Sequence, residues 1–373
     1  MKRTAVTIHT VTSLEAFKGL AEDWNQLLRT VPEHSLFLTW EWMYYWAKHF
    51  LADNALRILL FLDNHDRLIA VAPLYLRTVR ADGLIAVREF RFLGSETVCS
   101  SYLDVIVGEQ HKRAVLHRLY HYLFNDARKL WDILTLSEVP VESSSLDLWG
   151  ELFGETGKVG EVVGTTCCPV IQLPEDVESY RATLGRNRRY TLQRKTKCLQ
   201  RAGQMGYSHA TSPAECDAAF EALVTLHQQR WSTRSNKGVF ADTRFLQFHK
   251  EFVQVVAERG RISLDLLLLD GRPIAAIYGF VYQGVYYFYL PGFDPAVIPQ
   301  ASPGLLLLYH RIEQAIRNGA HTVDLLQGGQ AYKLECSTHI RRSMTCRYYN
   351  RHARAMALKL IESAKQAAKI LIR

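Results

Sequence analysis

The sequence has no long apolar run, no paired-cysteine motif and no low-complexity tract, and each absence excludes a class of protein. No run of about 18 apolar residues occurs among the 373 residues, so a transmembrane helix is not expected. The seven cysteines include no CxxC pair, which favours reduced thiols over a disulfide scaffold. The first residues lack the continuous apolar stretch of a signal peptide. These features predict a cytoplasmic protein.

Common catalytic signatures are also missing. The chain has neither the G-x-S-x-G turn of many hydrolases nor the P-loop of nucleotide-hydrolysing enzymes. His117 and His121 stand four residues apart in a predicted helix, but no third ligand is evident, so no metal is expected. The chemistry must therefore come from another kind of site.

Positive charge is concentrated in two segments. Residues 181–201 hold eight Lys or Arg and no acid, and residues 341–373 hold nine Lys or Arg and one acid. The whole chain carries a net charge of only +8, so the remainder of the chain is acidic. Two basic segments on an otherwise acidic protein indicate anionic partners.

The order of predicted elements favours an α/β (α+β) fold. Helix and strand patterns alternate through the N-terminal part, and strands at 261–269, 273–282 and 285–290 are joined by the short turns Asp270-Gly271 and Gln283-Gly284. A helix over 304–318, ended by Gly319, and a strand over 322–326 follow. The basic segment is predicted to lie on one helix over 177–202. A glycine- and serine-bearing stretch at 141–164 predicts a domain boundary.

The C-terminal part resembles a known enzyme family. The segments DGRPIAAIYGF (270–280), YYFYLPGFD (286–294) and SPGLLLLYHRIEQAIRNGAHTVDLLQGGQAYK (302–333) are similar to the BioF2-like, or CelD-type, acetyltransferases of the GNAT class. That family is in turn similar to the FemABX transferases, which carry two GNAT-like domains. The segments at 37–50, 68–76 and 101–107 resemble the first domain of that family.

This resemblance implies a fold, a domain plan and an activity. It implies two tandem GNAT-like domains with mixed central sheets flanked by helices, at 1–165 and 166–350. The apolar stripe and the basic residues of 351–373 themselves predict a basic amphipathic helix after these domains. It implies acetyl-CoA, or another acyl-CoA, as co-substrate. The acceptor would be an amine or hydroxyl of a sugar in an exopolysaccharide or cell-envelope precursor.

The donor is expected at the start of the helix that follows residue 302. Free amide groups and the helix dipole make such an end attractive to phosphates. By resemblance, Gln300, Ser302, Pro303 and Gly304 occupy the position of the GNAT pyrophosphate loop, although the usual Q/R-x-x-G-x-G/A pattern is not matched. An ordinary helix start is the structural alternative.

The catalytic candidates are Asp324, Tyr332 and Lys333, which lie in the block that the resemblance makes most distinctive. A carboxylate, or a water it holds, could take the proton of an attacking amine. A phenol or a cation could stabilise the tetrahedral intermediate. The structural alternatives are a turn-capping Asp324, an Asp324–Lys333 pair and a core Tyr332.

Four further side chains are candidates for acceptor binding. Tyr287 and Tyr289 share one face of a predicted strand and could line an acyl or sugar pocket. Arg230 and Trp231 could hold an anionic acceptor. Sheet core and ordinary helix surface are the respective alternatives.

The two basic segments, 181–201 and 351–373, leave several partners open. They could bring the protein to an anionic membrane at its inner face, or residues 181–201 could contact a phosphate-bearing ligand such as tRNA. DNA is not expected. Acetyl transfer from acetyl-CoA is the first hypothesis; the alternatives are a FemABX-like transferase that uses aminoacyl-tRNA and a non-catalytic sensor or scaffold of an envelope-assembly machine.

Overall fold

The computed structural model describes residues 6–32, 34–52, 55–81, 85–155, 160–232 and 238–361. The chain forms two compact units. The first comprises Met1–Thr166 and Arg342–Arg373, and the second comprises Cys167–Arg341. The sequence had placed the end of the second domain at 350; in the structure, residues 342–349 instead pair with a strand of the first unit.

The described residues form a series of helices along the chain. They are α1 (Leu14–Lys18), α2 (Ala21–Arg29), α3 (Trp40–Phe50), α4 (Glu109–His121), α5 (Ser144–Glu155), α6 (Val177–Thr183), α7 (Arg186–Ala202), α8 (Pro213–Ser232), α9 (Thr243–Ala257), α10 (Pro303–Arg317) and α11 (Ala331–Cys336). A further helical stretch covers 353–361. The rest of the basic helix predicted over 351–373 lies outside the described residues.

Strands alternate with these helices along the described chain. They are β1 (Thr7–Val11), β2 (Leu56–Leu62), β3 (Leu68–Ala81), β4 (Ile85–Phe92), β5 (Ile106–Val107), β6 (Ile133–Pro140), β7 (Gly160–Gln172), β8 (Met205–His209), β9 (Ile262–Leu269), β10 (Arg272–Tyr282), β11 (Val285–Phe293), β12 (Thr322–Asp324) and β13 (His339–Tyr349).

The first unit is built on a mixed sheet with strand order β1-β2-β3-β4-β6-β13, and β5 pairs with β3. The pairs are antiparallel except β4 and β6, which run parallel over three residues each. Aromatic side chains fill its core, among them the fully buried Phe17, Trp24, Trp42 and Trp131. A sheet covered by such helices and loops is the α/β arrangement that the sequence predicted.

In the second unit the strand order is β7-β12-β11-β10-β9-β8, and β11 and β12 form the parallel pair among them. Two tight turns at Asp270-Gly271 and Gln283-Gly284 join β9, β10 and β11, and all four residues have positive φ. Such turns match the twist of antiparallel strands. The apolar face of α10 packs on this sheet through Leu307, Ile312 and Ala315.

The sheet of the second unit forks beside α10. β11 and β12 pair in parallel over only three residues, from Val285↔Thr322 to Tyr287↔Asp324. β12 then ends, whereas β11 continues to Phe293. The two strands therefore separate after this point, and a space opens between them at the end from which the chain leads into α10.

The basic helix predicted over 177–202 is two helices in the structure. α6 ends at Thr183, because the next residue, Leu184, has an extended ψ of 122°. Gly185 is then the N-cap of α7. Asp176 caps α6 through a 2.8 Å bond from the amide of Ser179. The break lets Tyr180 and Leu199 both reach the core of the second unit.

A helix long and apolar enough to cross a membrane does not occur among the described residues.

Candidate active site

A mostly apolar pocket of about 460 Å³ lies at the strand fork of the second unit. Its walls come from β11, the loop after it, the start of α10, the end of α8 and α11. The lining residues are Arg230, Phe288, Pro291, Phe293, Asp294, Pro295, Pro299, Ser302, Pro303, Gly304, Leu305 and Tyr332. A concave apolar space with a few polar groups is the usual form of a small-molecule site.

The start of α10, where the sequence predicts that Ser302, Pro303 and Gly304 bind the donor, forms one wall of the pocket. Ser302 is in the left-handed region, with φ 50° and ψ 63°, and its side chain makes no capping bond. Pro303 occupies the first turn, where a missing N–H costs nothing. Gly304 lies against Phe293: a Cβ on Gly304 would be 3.2 Å from the Cδ1 atom of that ring. Glycine therefore keeps this wall of the pocket open.

Arg230 and Tyr332 supply polar groups to an otherwise apolar wall. The guanidinium of Arg230 lies 4.8 Å from the centroid of the Phe293 ring, and its Nη1 donates a long 3.5 Å bond to the carbonyl of Pro291. Burial raises the pKa of Tyr332, and the nearby Arg230 charge opposes that shift. The phenol of Tyr332 is thus protonated at neutral pH and can donate a hydrogen bond to a ligand.

Trp231 does not line the pocket and instead supports the helix end beneath Arg230. Its indole Nε1 donates a 3.0 Å bond to Nε2 of His227. Burial, and then the Arg230 charge, lower the pKa of His227 from 6.5 to about 4. The neutral ring is the form that can accept the indole bond.

The His227–Trp231 pair predicts a pH dependence of stability. Because the pKa of His227 is lower in the folded than in the unfolded chain, the unfolded state binds more protons between about pH 6.5 and 4. The free energy of unfolding should therefore fall as the pH is lowered through that window. His227→Gln, which keeps an acceptor, should flatten the curve in urea unfolding at pH 7 and pH 5. The exposed His339→Gln serves as control, and an unchanged slope in His227→Gln would contradict the assignment.

Asp324 and Lys333 are buried, and the pocket does not include them. Asp324 is 1% exposed, and its Oδ1 accepts a 2.8 Å bond from the amide of Leu326. Lys333 is 6% exposed, and its Nζ donates to the carbonyls of Leu325 at 2.6 Å and Gln327 at 2.7 Å. Both side chains bond to the turn that ends β12, and the catalytic roles that the sequence assigns to them stay predictions.

Tyr287 and Tyr289 also lie away from the pocket. Residues on a strand alternate between its two faces, and the pocket is lined by Phe288, whose side chain shares a core with α10. Tyr289 points to the other face, where its hydroxyl lies 3.1 Å from Nε2 of the buried His249. Tyr287 and Tyr289 share one face of β11, as the sequence predicted, but the pocket lies on the opposite face.

Gln300 lies in a second concavity, next to the pocket. This basic groove, of about 740 Å³, is lined by Tyr190, Gln193, Arg194, Lys195, Lys197, Cys198, Arg201, Ala202, Ile298 and Gln300. Lys195 joins the two spaces, because its Nζ donates to Oγ of Ser302 at 2.6 Å and to the carbonyl of Gln300 at 3.1 Å. Gln300 therefore contributes its backbone to the junction and not a wall of the pocket.

Several residues of the site were not singled out from the sequence. Phe288, Phe293 and Asp294 line the pocket, and Lys195 bridges α7 to the loop before α10. Phe293 and Asp294 stand in the segment YYFYLPGFD that carried the family resemblance, which was a usable signal. The Lys195–Ser302 contact spans 107 residues of sequence, and no local pattern marks it.

The part of the chain that matches a known protein family lies within the second unit. Residues 186–334 match the family model described as "Acetyltransferase (GNAT) domain". This range begins with α7 and ends inside α11, so it contains the fork, the pocket and the basic groove. A search of curated protein sequences returns no match.

Solved structures with the same fold cover nearly the whole chain. FemX superposes with a TM-score of 0.59 at 10% identity, over 95% of this chain and 100% of that one. The C-terminal domain (DUF2156) of a protein named as a lysylphosphatidylglycerol synthetase from Agrobacterium fabrum gives 0.53 at 10% identity, over 93% and 95%. L-PGS from Bacillus licheniformis gives 0.53 at 10% identity, over 91% and 95%. At this identity the likeness establishes the fold.

The family model and the fold together define the class of protein. Residues 186–334 match a GNAT acetyltransferase domain, and the chain has the fold that is seen in FemX. The chain therefore contains a GNAT acetyltransferase domain within a mixed α/β architecture.

Proposed function

We propose that the protein transfers an acyl group, in the first instance acetyl from acetyl-CoA, to an amine or hydroxyl of a saccharide in exopolysaccharide or cell-envelope synthesis. The observation that carries this proposal is the apolar pocket at the strand fork, with the start of α10 as one wall. An apolar slot suits a thioester and its uncharged arm. The open helix start beside it suits phosphate groups.

The residues of the pocket support a direct transfer. The acceptor nitrogen or oxygen would attack the thioester carbonyl, the new C–N or C–O bond would form, and the C–S bond would break. Asp294 is a carboxylate on the pocket wall and could take the proton of the acceptor, directly or through water. Tyr332 could give a proton to the departing thiolate. Holding both reactants in one cleft would supply much of the acceleration.

We propose an anionic acceptor and a location at the inner face of the membrane. Arg230 is the cation on the pocket wall, and it could bind an anionic sugar or a phosphate of an envelope precursor. The family resemblance is the support for a saccharide. Peripheral contact of the basic segments 181–201 and 351–373 with an anionic membrane would place the enzyme at the inner face, where such precursors are assembled.

Removing the phenol of Tyr332 tests the proposed chemistry. Tyr332→Phe should lower kcat for acetyl transfer by about 100-fold, because the thiolate would leave without a positioned proton donor. KM for acetyl-CoA should change little, since the ring remains. Turnover can be followed by thiol release with amino-sugar acceptors.

Tyr287→Phe is the matched control for this test. It removes the same hydroxyl from the neighbouring strand but from the opposite face, so its kcat should stay near that of the unaltered protein. Equal kcat values for the two variants would contradict the role given to Tyr332.

A second candidate is aminoacyl transfer from charged tRNA. The basic groove along α7 favours it, because a nucleic acid backbone needs several unpaired cations. Two of the solved structures named above carry the name of a lysylphosphatidylglycerol synthetase, which fits an aminoacyl group as cargo. Turnover with aminoacyl-tRNA, and none with any acyl-CoA, would establish this candidate in place of the first.

A further inference from the structure

The basic groove beside α7 carries positive charge that no carboxylate among the described residues neutralises. Arg181 and Arg188, near the start of the basic segment, are neutralised by Glu313 and Glu335. Arg194, Lys197 and Arg201 line the groove and have no acidic partner within the described ranges. Among the described residues, Arg186 and Arg189 outside the groove have no acidic partner either, so what sets Arg194, Lys197 and Arg201 apart is their place in a concave space.

The spacing of these three cations places them on one side of the helix. Positions 194, 197 and 201 are three and four residues apart, so their side chains are neighbours on the surface of α7. Like charges at this spacing destabilise a helix slightly. A bound anion would remove that repulsion, and the groove provides a concave space in which to hold one.

The groove and the apolar pocket share one loop. Ile298 and Gln300 line the groove, whereas Pro299 and Ser302 line the pocket. Lys195 contacts both Gln300 and Ser302, and burial, together with the nearby Arg194 charge, lowers its pKa. The pocket and the groove therefore adjoin at this loop, and Lys195 lies at their junction.

An aromatic ring completes the groove. Tyr190 lies one to three turns before the cations on the same helix, and 65% of it is exposed. An exposed ring beside unpaired cations is the combination with which proteins bind a nucleotide, because the ring stacks on a base while the cations contact phosphates.

We infer that the basic groove along α7 binds the phosphate-bearing nucleotide part of the acyl donor, with Lys195 as the positioning residue at its junction with the pocket. The inference rests on the proposed function for the placing of the acyl group in the pocket. It adds that the phosphates lie along α7, on Arg194, Lys197 and Arg201, and are not held by the start of α10 alone.

Calorimetric titration of the full-length protein with two thioesters tests this inference. Acetyl-CoA carries the nucleotide and its phosphates, whereas S-acetyl-pantetheine lacks them. The variant Arg194→Gln/Arg201→Gln should bind acetyl-CoA about tenfold more weakly or worse, because charged hydrogen bonds to phosphate are lost. Its affinity for S-acetyl-pantetheine should not change, and its acetyl-CoA affinity should depend less on salt.

Arg186→Gln/Arg189→Gln is the matched control. It removes two exposed arginines from the same helix outside the groove, and it should bind both thioesters as the unaltered protein does. If the groove variant and this control bind acetyl-CoA equally well, the inference is overturned.

An RNA minihelix with the sequence of a tRNA acceptor stem, as a third probe, separates this inference from the proposed function. If no thioester binds, but the groove variant loses minihelix binding that the control keeps, the groove holds the phosphates of an RNA-borne donor and acyl-CoA is the wrong donor. If neither acetyl-CoA nor the minihelix distinguishes the groove variant from the control, the groove is not a phosphate site.

Discussion

Gly304→Leu is expected to abolish donor binding without unfolding the protein. A Cβ at this position would already lie 3.2 Å from the ring of Phe293, and the rest of a leucine side chain would extend into the pocket that Gly304 lines. Displacing a bound thioester by about 1 Å can cost on the order of 100-fold in rate, so kcat/KM should fall at least that far. The close contact with Phe293 offsets the gain of about 0.5–1 kcal/mol that replacing a glycine gives inside a helix, so the free energy of unfolding should change little.

A free energy of unfolding close to that of the unaltered protein would protect the test from a trivial explanation. A misfolded variant would lose both activity and stability, whereas a blocked pocket loses activity alone. Gly304→Ala should have an intermediate effect, because Phe293 must shift by only a few tenths of an ångström. Gly150→Leu makes the same change in α5, where an added Cβ meets nothing within 4 Å, and its activity should be normal. Full activity in Gly304→Leu would remove the pocket from the proposed function.

The sequence was most informative where local rules decide the structure. Strands β9 to β11 and their two turns were predicted within a few residues, because Asp270-Gly271 and Gln283-Gly284 are short turns that accept positive φ. Helix α10 was predicted over 304–318 and occurs over Pro303–Arg317. The start of this helix was also the part of the candidate site that the structure placed on the pocket wall.

Long-range geometry set the limits of the prediction. The alternation of residues on β11 was known, but both faces of this strand are covered by helices, so composition could not show which face held the pocket. The break at Leu184-Gly185 was missed because the basic pattern runs through both α6 and α7. Burial of Lys333 was missed for a similar reason: a lysine is rarely buried, and its carbonyl partners were not visible in the sequence.

The buried position of Lys333 gives the second large expected effect, a loss of stability. Its ammonium holds the carbonyls of Leu325 and Gln327 on either side of Leu326, a residue forced to a φ of 54°. Lys333→Met keeps the length of the side chain but removes the donor. The buried carbonyls would then lose a charged hydrogen-bond partner, which should cost about 2–4 kcal/mol in the free energy of unfolding. Urea unfolding monitored by circular dichroism would measure the change.

Lys250→Met provides the comparison within the same unit, because Lys250 pairs with Glu221 at the surface, where such a pair contributes about 1 kcal/mol or less.

The rate of the folded Lys333→Met enzyme then separates a positioning role from a catalytic one. If Lys333 only fixes the turn after β12, the folded variant should retain acetyl transfer to within about tenfold, because its ammonium lies among backbone carbonyls and outside the pocket lining. The opposite result is an unchanged free energy of unfolding together with a complete loss of turnover. That result would assign Lys333 a role in the reaction itself, because its side chain would then not be needed for the fold.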